Sequence, residues 1–284
     1  MMSNPETSTD SHTGLWSRQF DPVHDFPTVP VNTKVALCTT PRCGSHFLGH
    51  KLHSLGAFGY PLEYLNPGNW EIWERRAGEM PTLDFIKSKR TGPNGVFAVK
   101  LHHEHLTDFL VQEPEPLTYK FIHLRRRDLT RQAISFARAQ QTGAWISDMP
   151  EIAPAYYDWG LIATKMDHIS RGNADWQGFL QCLGIQPLEL YYEDIVADMS
   201  GALARIADYT DVRIDEAVPD AGTFTPERQK RQAQADWLAR FEADSRDRLA
   251  KGDAIPGVSY PDNIAVLRHR ARKVAKRLKA RAGL

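Results

Sequence analysis

A chain of 284 residues with 42% apolar residues is long enough to bury a large core, and its size fits one large domain or two small ones; one is expected. Cys38, Cys43 and Cys182 are an odd number with no C-x-x-C spacing, which argues against a disulfide framework and a zinc-ribbon site. The formal net charge is zero but unevenly spread: residues 264–284 carry eight Lys/Arg and no acid, so the rest of the chain is acidic by the same amount, and no nucleic-acid partner is expected.

Residues 1–30 are rich in Ser, Thr, Asp, Pro and His and read as a flexible segment. They lack the basic and apolar regions of a signal peptide, and no run approaches the roughly eighteen apolar residues of a membrane span, so a cytoplasmic protein is expected. The first buried strand is Val35-Ala36-Leu37-Cys38, followed by Thr39-Thr40-Pro41-Arg42-Cys43-Gly44-Ser45-His46 and a helical pattern at Phe47, Leu48, Leu52 and Leu55. A strand that turns into a helix aims backbone N–H groups and the positive end of the helix dipole at one point, which suits an anion. The loop lacks the first Gly and the Lys-Ser/Thr pair of a nucleoside-triphosphate P-loop. Arg42 supplies fixed charge, and Ser45 and His46 supply side-chain donors, a set suited to a phosphosulfate held without metal. An ordinary strand-to-helix turn is the plain alternative. Cys43 is either a small residue that fits this turn or a thiolate activated by the helix N-terminus; the first is expected.

The loop Gly59-Tyr60-Pro61-Leu62-Glu63-Tyr64-Leu65-Asn66-Pro67 places one acid among apolar neighbours. Burial would raise the pKa of Glu63 and a nearby Arg would lower it; either arrangement could tune a general base, and a capping role for the next helix is the alternative. Residues 68–91 read as helix, and Gly92-Pro93-Asn94-Gly95 as a turn into a second strand, Val96–Leu101. Lys100 lies at its carboxyl end, where open α/β sheets hold ligands. His102, His103, Glu104 and His105 follow, matching neither H-E-x-x-H nor H-x-x-E-H. Adjacent histidines on extended chain point to opposite sides, so hydrogen bonding by Lys100 and His102 is expected and no metal.

The third strand, Tyr119–Leu124, runs into Arg125-Arg126-Arg127-Asp128 and a helical pattern containing Ser135. Arginines at a strand's carboxyl end make a second anion site on the same sheet edge; a solvated basic patch is the alternative. Two such sites imply a two-headed ligand. The strand lacks the terminal acid that a Walker-type NTPase uses for Mg²⁺. Trp145 follows in a loop, as a stacking platform or a structural residue. Ala153–Leu183 reads as one long helix, Leu188–Tyr192 as a fourth strand, and Glu193-Asp194 as the acidic start of a helix reaching Tyr209. Strands alternating with helices imply a mostly parallel sheet covered on both faces. At the end, Leu267, Ala271, Val274, Leu278 and Ala282 form a thin apolar stripe on a basic helix. It packs on its own domain or meets an anionic membrane surface.

Five segments together resemble the trehalose 2-sulfotransferase family and its bacterial lipopolysaccharide- and nodulation-type relatives: Pro41–His46, Gly59–Asn66, Gly95–Leu101, Leu124–Phe136 and Thr142–Trp145. The likeness runs from about Thr33 to Arg240, in order. It implies an α/β, P-loop-like three-layer sandwich, and a sulfotransferase that uses PAPS (3′-phosphoadenosine 5′-phosphosulfate) as co-substrate. By resemblance Arg42, Cys43, Gly44, Ser45 and His46 form the 5′-phosphosulfate loop, Arg126 and Ser135 hold the 3′-phosphate with Arg127 as substitute, and Glu63 is the base. Arg228 or Arg231 would complete the nucleotide pocket. His46 stands where Ser or Thr is common in the family.

The implied organisation is a segment 1–30, a sulfotransferase domain 31–250 and a basic helix 251–284. The implied reaction is in-line attack of a carbohydrate or glycolipid hydroxyl on sulfur, with Glu63 taking the proton and Arg42, Lys100 or His102 beside the reacting groups. No metal is expected to take part. Tyr60, Tyr64, Trp70, Trp73 and Trp145 are candidates for stacking on sugars, and family relatives suggest a homodimer. A non-catalytic membrane or polyanion binder led by residues 264–284 is the alternative, with contact at the inner membrane face.

Overall fold

The computed structural model describes residues 19–146, 149–214 and 229–257, without the side chains of 229–234. The basic segment 264–284 and Arg228 lie outside them. In chain order the elements are β1 (Thr33–Thr39), α1 (Ser45–Ser54), α2 (Pro67–Ala77), α3 (Thr82–Arg90), β2 (Val96–His102), α4 (Leu106–Gln112), β3 (Tyr119–Arg125) and α5 (Leu129–Thr142). Then come α6 (Trp159–Cys182), β4 (Leu188–Tyr191), α7 (Tyr192–Ala197), α8 (Met199–Thr210) and α9 (Gln229–Lys251).

The four strands lie in the order β2-β1-β3-β4, and every pairing is parallel. Alternation along the strands builds two cores. Val35, Leu37, Ala98, Ile122 and Leu124 face α1 and α8 through Leu48, Leu52, Leu203 and Ile206. Ala36, Cys38, Phe97, Val99 and Phe121 face the opposite way onto Trp73, Ile86 and Trp176. Both strand faces are therefore apolar, as a sheet covered on two sides requires. This is the expected three-layer α/β sandwich. No described helix is long and apolar enough to cross a membrane.

Three expected helices are differently bounded. The stretch 68–91 is two helices: α2 ends where Gly78 takes φ 61°, and Pro81 precedes α3. The long helix starts at Trp159 rather than Ala153, because Asp158 caps it by accepting the Leu161 N–H at 3.0 Å. The last pair splits at Asp198, whose carboxylate accepts the Gly201 N–H at 2.8 Å and starts α8. Residues 19–30, part of the expected flexible segment, pack on α2 and α3. Phe20 is buried beside Trp73. The fully buried Arg90 donates to the carbonyls of His24 and Asp21 at 3.1 and 3.2 Å and lies 3.4 Å from Asp25.

Candidate active site

Strand order reverses direction on either side of β1, so the crevice at the carboxyl ends of β1 and β3 is the expected ligand site of an open parallel sheet. The loop Thr40–Gly44 and the arginines after β3 meet there.

The loop is held from several sides. Trp176 of α6 donates its indole N–H to the Thr39 carbonyl at 2.9 Å. Gln132 of α5, fully buried, donates to Thr40 Oγ1 at 3.0 Å and to the Pro41 carbonyl at 2.8 Å. Arg42 takes φ 66° and Gly44 φ 93°. A Cβ at Gly44 would stand 2.3 Å from Tyr192 Cδ2, so only glycine fits under that ring. Gly44 caps α1 without a side-chain hydrogen bond, which leaves the first N–H groups of α1 directed at the crevice.

Arg42 projects into this space. Its Nε donates to Ser135 Oγ at 3.0 Å and its Nη1 to the Trp145 carbonyl; it pairs with no acid among the described residues. Burial and repulsion by Arg126 lower its pKa. A partly buried guanidinium with neutral partners favours an incoming anion. Arg126 stacks on Tyr192 with 5.0 Å from guanidinium carbon to ring centroid, lies 3.8 Å from Glu193, and its buried Nε donates no hydrogen bond. Arg127 differs: it is half-exposed and makes two bonds to Asp194, at 2.6 and 2.7 Å.

Glu63 Oε1 lies 2.7 Å from Lys100 Nζ and 2.8 Å from His102 Nε2. Burial would raise its pKa, yet the positive charge of His102 and Lys100 and their hydrogen bonds hold it well below the usual carboxylate range. Of the two arrangements open from the sequence, this is the one in which neighbouring cations lower the pKa. Thr39 Oγ1 holds the other nitrogen of His102 at 2.8 Å, which ties the carboxylate group to the start of the anion loop.

His46 meets His50 at 2.7 Å between their Nε2 atoms, and His50 Nδ1 meets the Tyr60 hydroxyl at 3.2 Å. Burial, with the charges of Lys100 and His50, pushes the His46 imidazole down to about 2, so it is neutral at physiological pH. Ser45 lies buried at the first helical position. Cys43 points into the core with Leu48 and Leu52, and burial raises its thiol pKa, which rules out the activated thiolate; only its backbone borders the loop. Arg231 lies in α9, and its side chain is among those not described.

The aromatic residues divide sharply. Tyr60, Tyr64 and Trp73 are core residues with 0 to 1% exposure, so they offer no face to a sugar. Trp145 is 42% exposed, and Trp70 lines a cavity of about 300 Å³ with Leu65, Pro67, Glu71, Asp108 and Gln112. Sequence reasoning missed Gln132, Trp176 and Tyr192. Gln132 carried a signal: it shares the buried face of α5 with Phe136 and Ala139, where a polar residue needs a partner.

The family model described as Stf0 sulphotransferase matches residues 35–244. A trehalose 2-sulfotransferase of Mycobacterium tuberculosis is 28% identical over 127 residues, 44% of this chain and 46% of that one, so this match spans about half of the relative's length. A trehalose 2-sulfotransferase of Mycolicibacterium smegmatis is 25% identical over 265 residues, covering 75% of this chain and 96% of that one. Among solved structures, the sulfotransferase domain of the Synechococcus PCC 7002 olefin synthase has 17% identity and a TM-score of 0.43, covering 75% of this chain and 90% of that one. The sulfotransferase domain from the curacin biosynthetic pathway has 13% identity and a TM-score of 0.45, covering 80% and 100%.

Proposed function

Because the chain belongs to the Stf0 sulphotransferase family, we propose that it moves a sulfuryl group from PAPS to a hydroxyl of a carbohydrate or glycolipid acceptor, with Glu63 as base. The observation that carries this reading is the partly buried Arg42, paired with no described acid, beside the uncapped start of α1. A 5′-phosphosulfate supplies the charge both features lack. The loop N–H groups, Ser45 and the neutral His46 would add donors around it.

The 3′-phosphate falls to Arg126 in this reading. Arg127 is already neutralised by Asp194, whereas Arg126 keeps a buried Nε without an acceptor. Ser135 is bonded to Arg42, so it would couple the two anion subsites through that guanidinium. Arg231 remains a candidate for closing the pocket, as does Arg228.

The bound donor supplies a sulfuryl group on a phosphate leaving group. The acceptor hydroxyl attacks sulfur, and charge grows on the bridging oxygen as its bond to sulfur breaks; Arg42 and the start of α1 offset that charge. Lys100 is shared. Paired with Glu63, it keeps the carboxylate a weak base; drawn to the developing anion, it releases Glu63 with a higher proton affinity. His102, fixed by Thr39, keeps Glu63 oriented throughout. These steps call for no metal.

The Mycolicibacterium smegmatis relative is a trehalose 2-sulfotransferase. For this chain the partly buried Trp70, with Glu71, Asp108 and Gln112, provides an aromatic face and polar groups of the kind that bind sugar hydroxyls. Residues 264–284 would add peripheral contact with anionic lipid, which suits a cytoplasmic enzyme with a glycolipid acceptor; a homodimer is the companion proposal.

Calorimetric titration with adenosine 3′,5′-bisphosphate, with EDTA present, tests the two-headed site. Micromolar binding by wild type and Arg127→Ala, lost in Arg126→Ala, is the expected pattern. Absence of binding by the folded wild type would overturn it.

A further inference from the structure

The chain leaves β2 at His102 and enters a 3-10 turn, His103–His105, rather than continuing extended. That turn carries His103 and Glu104 onto α6, where His168 meets them. One nitrogen from each imidazole and one carboxylate oxygen all lie within 4.8 Å of one another. His168 Nε2 contacts Glu104 Oε1, and His103 Nδ1 lies 3.2 Å from Glu104 Oε2. None of these contacts serves Arg42, Glu63 or Arg126.

The state of His103 is informative. Its Nε2 lies 3.3 Å from Asp175 Oδ2. Its Nδ1 faces the Glu104 carboxylate, and this buried atom has no hydrogen-bond partner among the described residues. An imidazole nitrogen set beside one carboxylate, with a second carboxylate at the far side of the ring, is the outer arrangement of a metal-bound histidine. A cation between the three atoms would give Nδ1 a partner.

The α6 face is shaped for this. His168, Gly172 and Asp175 recur at four- and three-residue steps and so share one face. A Cβ at Gly172 would stand 2.7 Å from His103 Nδ1 and 2.9 Å from Thr40 Cγ2. Glycine inside a helix is less favourable than alanine. Here it leaves room for the imidazole.

We propose that His103, Glu104 and His168 bind one divalent transition-metal cation, Zn²⁺ or a similar ion, with Asp175 orienting His103. Two imidazole nitrogens and one carboxylate oxygen are a donor set for such ions, with a further position for water. The cation pins the end of β2 to α6 beside the Thr40 loop. It is a positioning element, separate from sulfuryl transfer, and stands or falls independently of that reading.

The test uses the full chain stripped with EDTA and freed of chelator. Co²⁺ titration followed by visible absorption, and Zn²⁺ content after equilibrium dialysis, should each give one equivalent bound, with a rise in thermal midpoint. His168→Ala and the size-conserving Glu104→Gln should lose that equivalent, Asp175→Asn should weaken it about 10–100-fold, and Cys182→Ala should keep it. Retention in both His168→Ala and Glu104→Gln would assign the ion elsewhere and overturn the proposal. No ion on the stripped wild type would also overturn it.

Discussion

Replacing Gly44 with alanine perturbs the anion loop at its tightest point. The backbone there has φ 93° and ψ 10°, a left-handed conformation that costs an L-residue about 1–2 kcal/mol. The new methyl would also stand 2.3 Å from Tyr192 Cδ2 and 3.0 Å from Cε2, against a comfortable carbon separation of about 3.5–4.0 Å. The ring must move by more than about 1 Å, an overpacking cost of about 1–3 kcal/mol. Together these give about 2–5 kcal/mol of destabilisation. For a chain of this size that lowers Tm by roughly 4–20 °C, at about 2–4 °C per kcal/mol. Because Tyr192 also carries Arg126 on its face, the shift reaches the second anion subsite. Calorimetric titration with adenosine 3′,5′-bisphosphate should therefore show affinity reduced by at least about tenfold, equivalent to about 1.4 kcal/mol. The double variant Gly44→Ala/Tyr192→Ala separates the parts: it removes the overlap and keeps the backbone strain. Gly44→Ala with wild-type Tm and undiminished affinity would refute the argument that this loop is shaped by Tyr192.

Other substitutions address the remaining parts of the site. Glu63→Gln should lower turnover by about 10²–10⁴-fold, the range for loss of a general base, while nucleotide affinity stays close to wild type; near-normal turnover would remove Glu63 from the role. Gln132→Met fills a similar volume but strips donors from Thr40 and the Pro41 carbonyl, and should cost about 1–3 kcal/mol in urea denaturation and weaken nucleotide binding. Glu113 lies in a buried cluster with Lys87 at 2.6 Å and the Tyr119 hydroxyl at 2.7 Å. Burial opposes its ionisation, but Lys87 and Tyr119 hold its pKa below 4.5, so its stabilisation is full above that value and fades as pH falls through the folded value. Glu113→Gln should thus lower Tm at neutral pH and flatten its fall as pH drops below the usual carboxylate range; an unchanged acid slope would contradict the linkage.

The strands were legible because burial on both faces leaves contiguous apolar runs such as Val35–Cys38 and Val96–Val99. Helix limits were less so, since they depend on single capping groups. Asp158 and Asp198 act through one hydrogen bond each, and an acid in an amphipathic pattern reads equally well as surface. The aromatic residues of the second loop and α2 show the same limit from the other side. Tyr60, Tyr64 and Trp73 suit a sugar platform by type, yet the segment ending at Asp25 covers them and Arg90 stacks on Trp73 at 4.9 Å. Exposure is a property of the whole packing, which local composition does not carry.

The candidate site divides along the same line. Arg42, Gly44, Ser45 and His46 lie in one continuous turn, so their convergence follows from strand-to-helix geometry alone. Glu63, Lys100 and His102 come from two segments, and the parallel register of β1 with β2, which sets Thr39 opposite His102, brings them to one edge. Register is a consequence of the fold, but the carboxyl-edge rule anticipates it. His168 belongs to neither case. It sits 64 residues from Glu104 on a helix whose apolar residues explain its packing, and no local spacing links the two. Spacing motifs for metals describe ligands gathered by one helix or one turn. A site assembled between a strand end and a distant helix face leaves only indirect traces: a glycine in mid-helix, an acid three residues beyond it, and a histidine four residues before it. Those traces become meaningful once α6 is known to lie beside the end of β2, and an extended reading of His102–His105 has no access to the turn that brings His103 and Glu104 to His168.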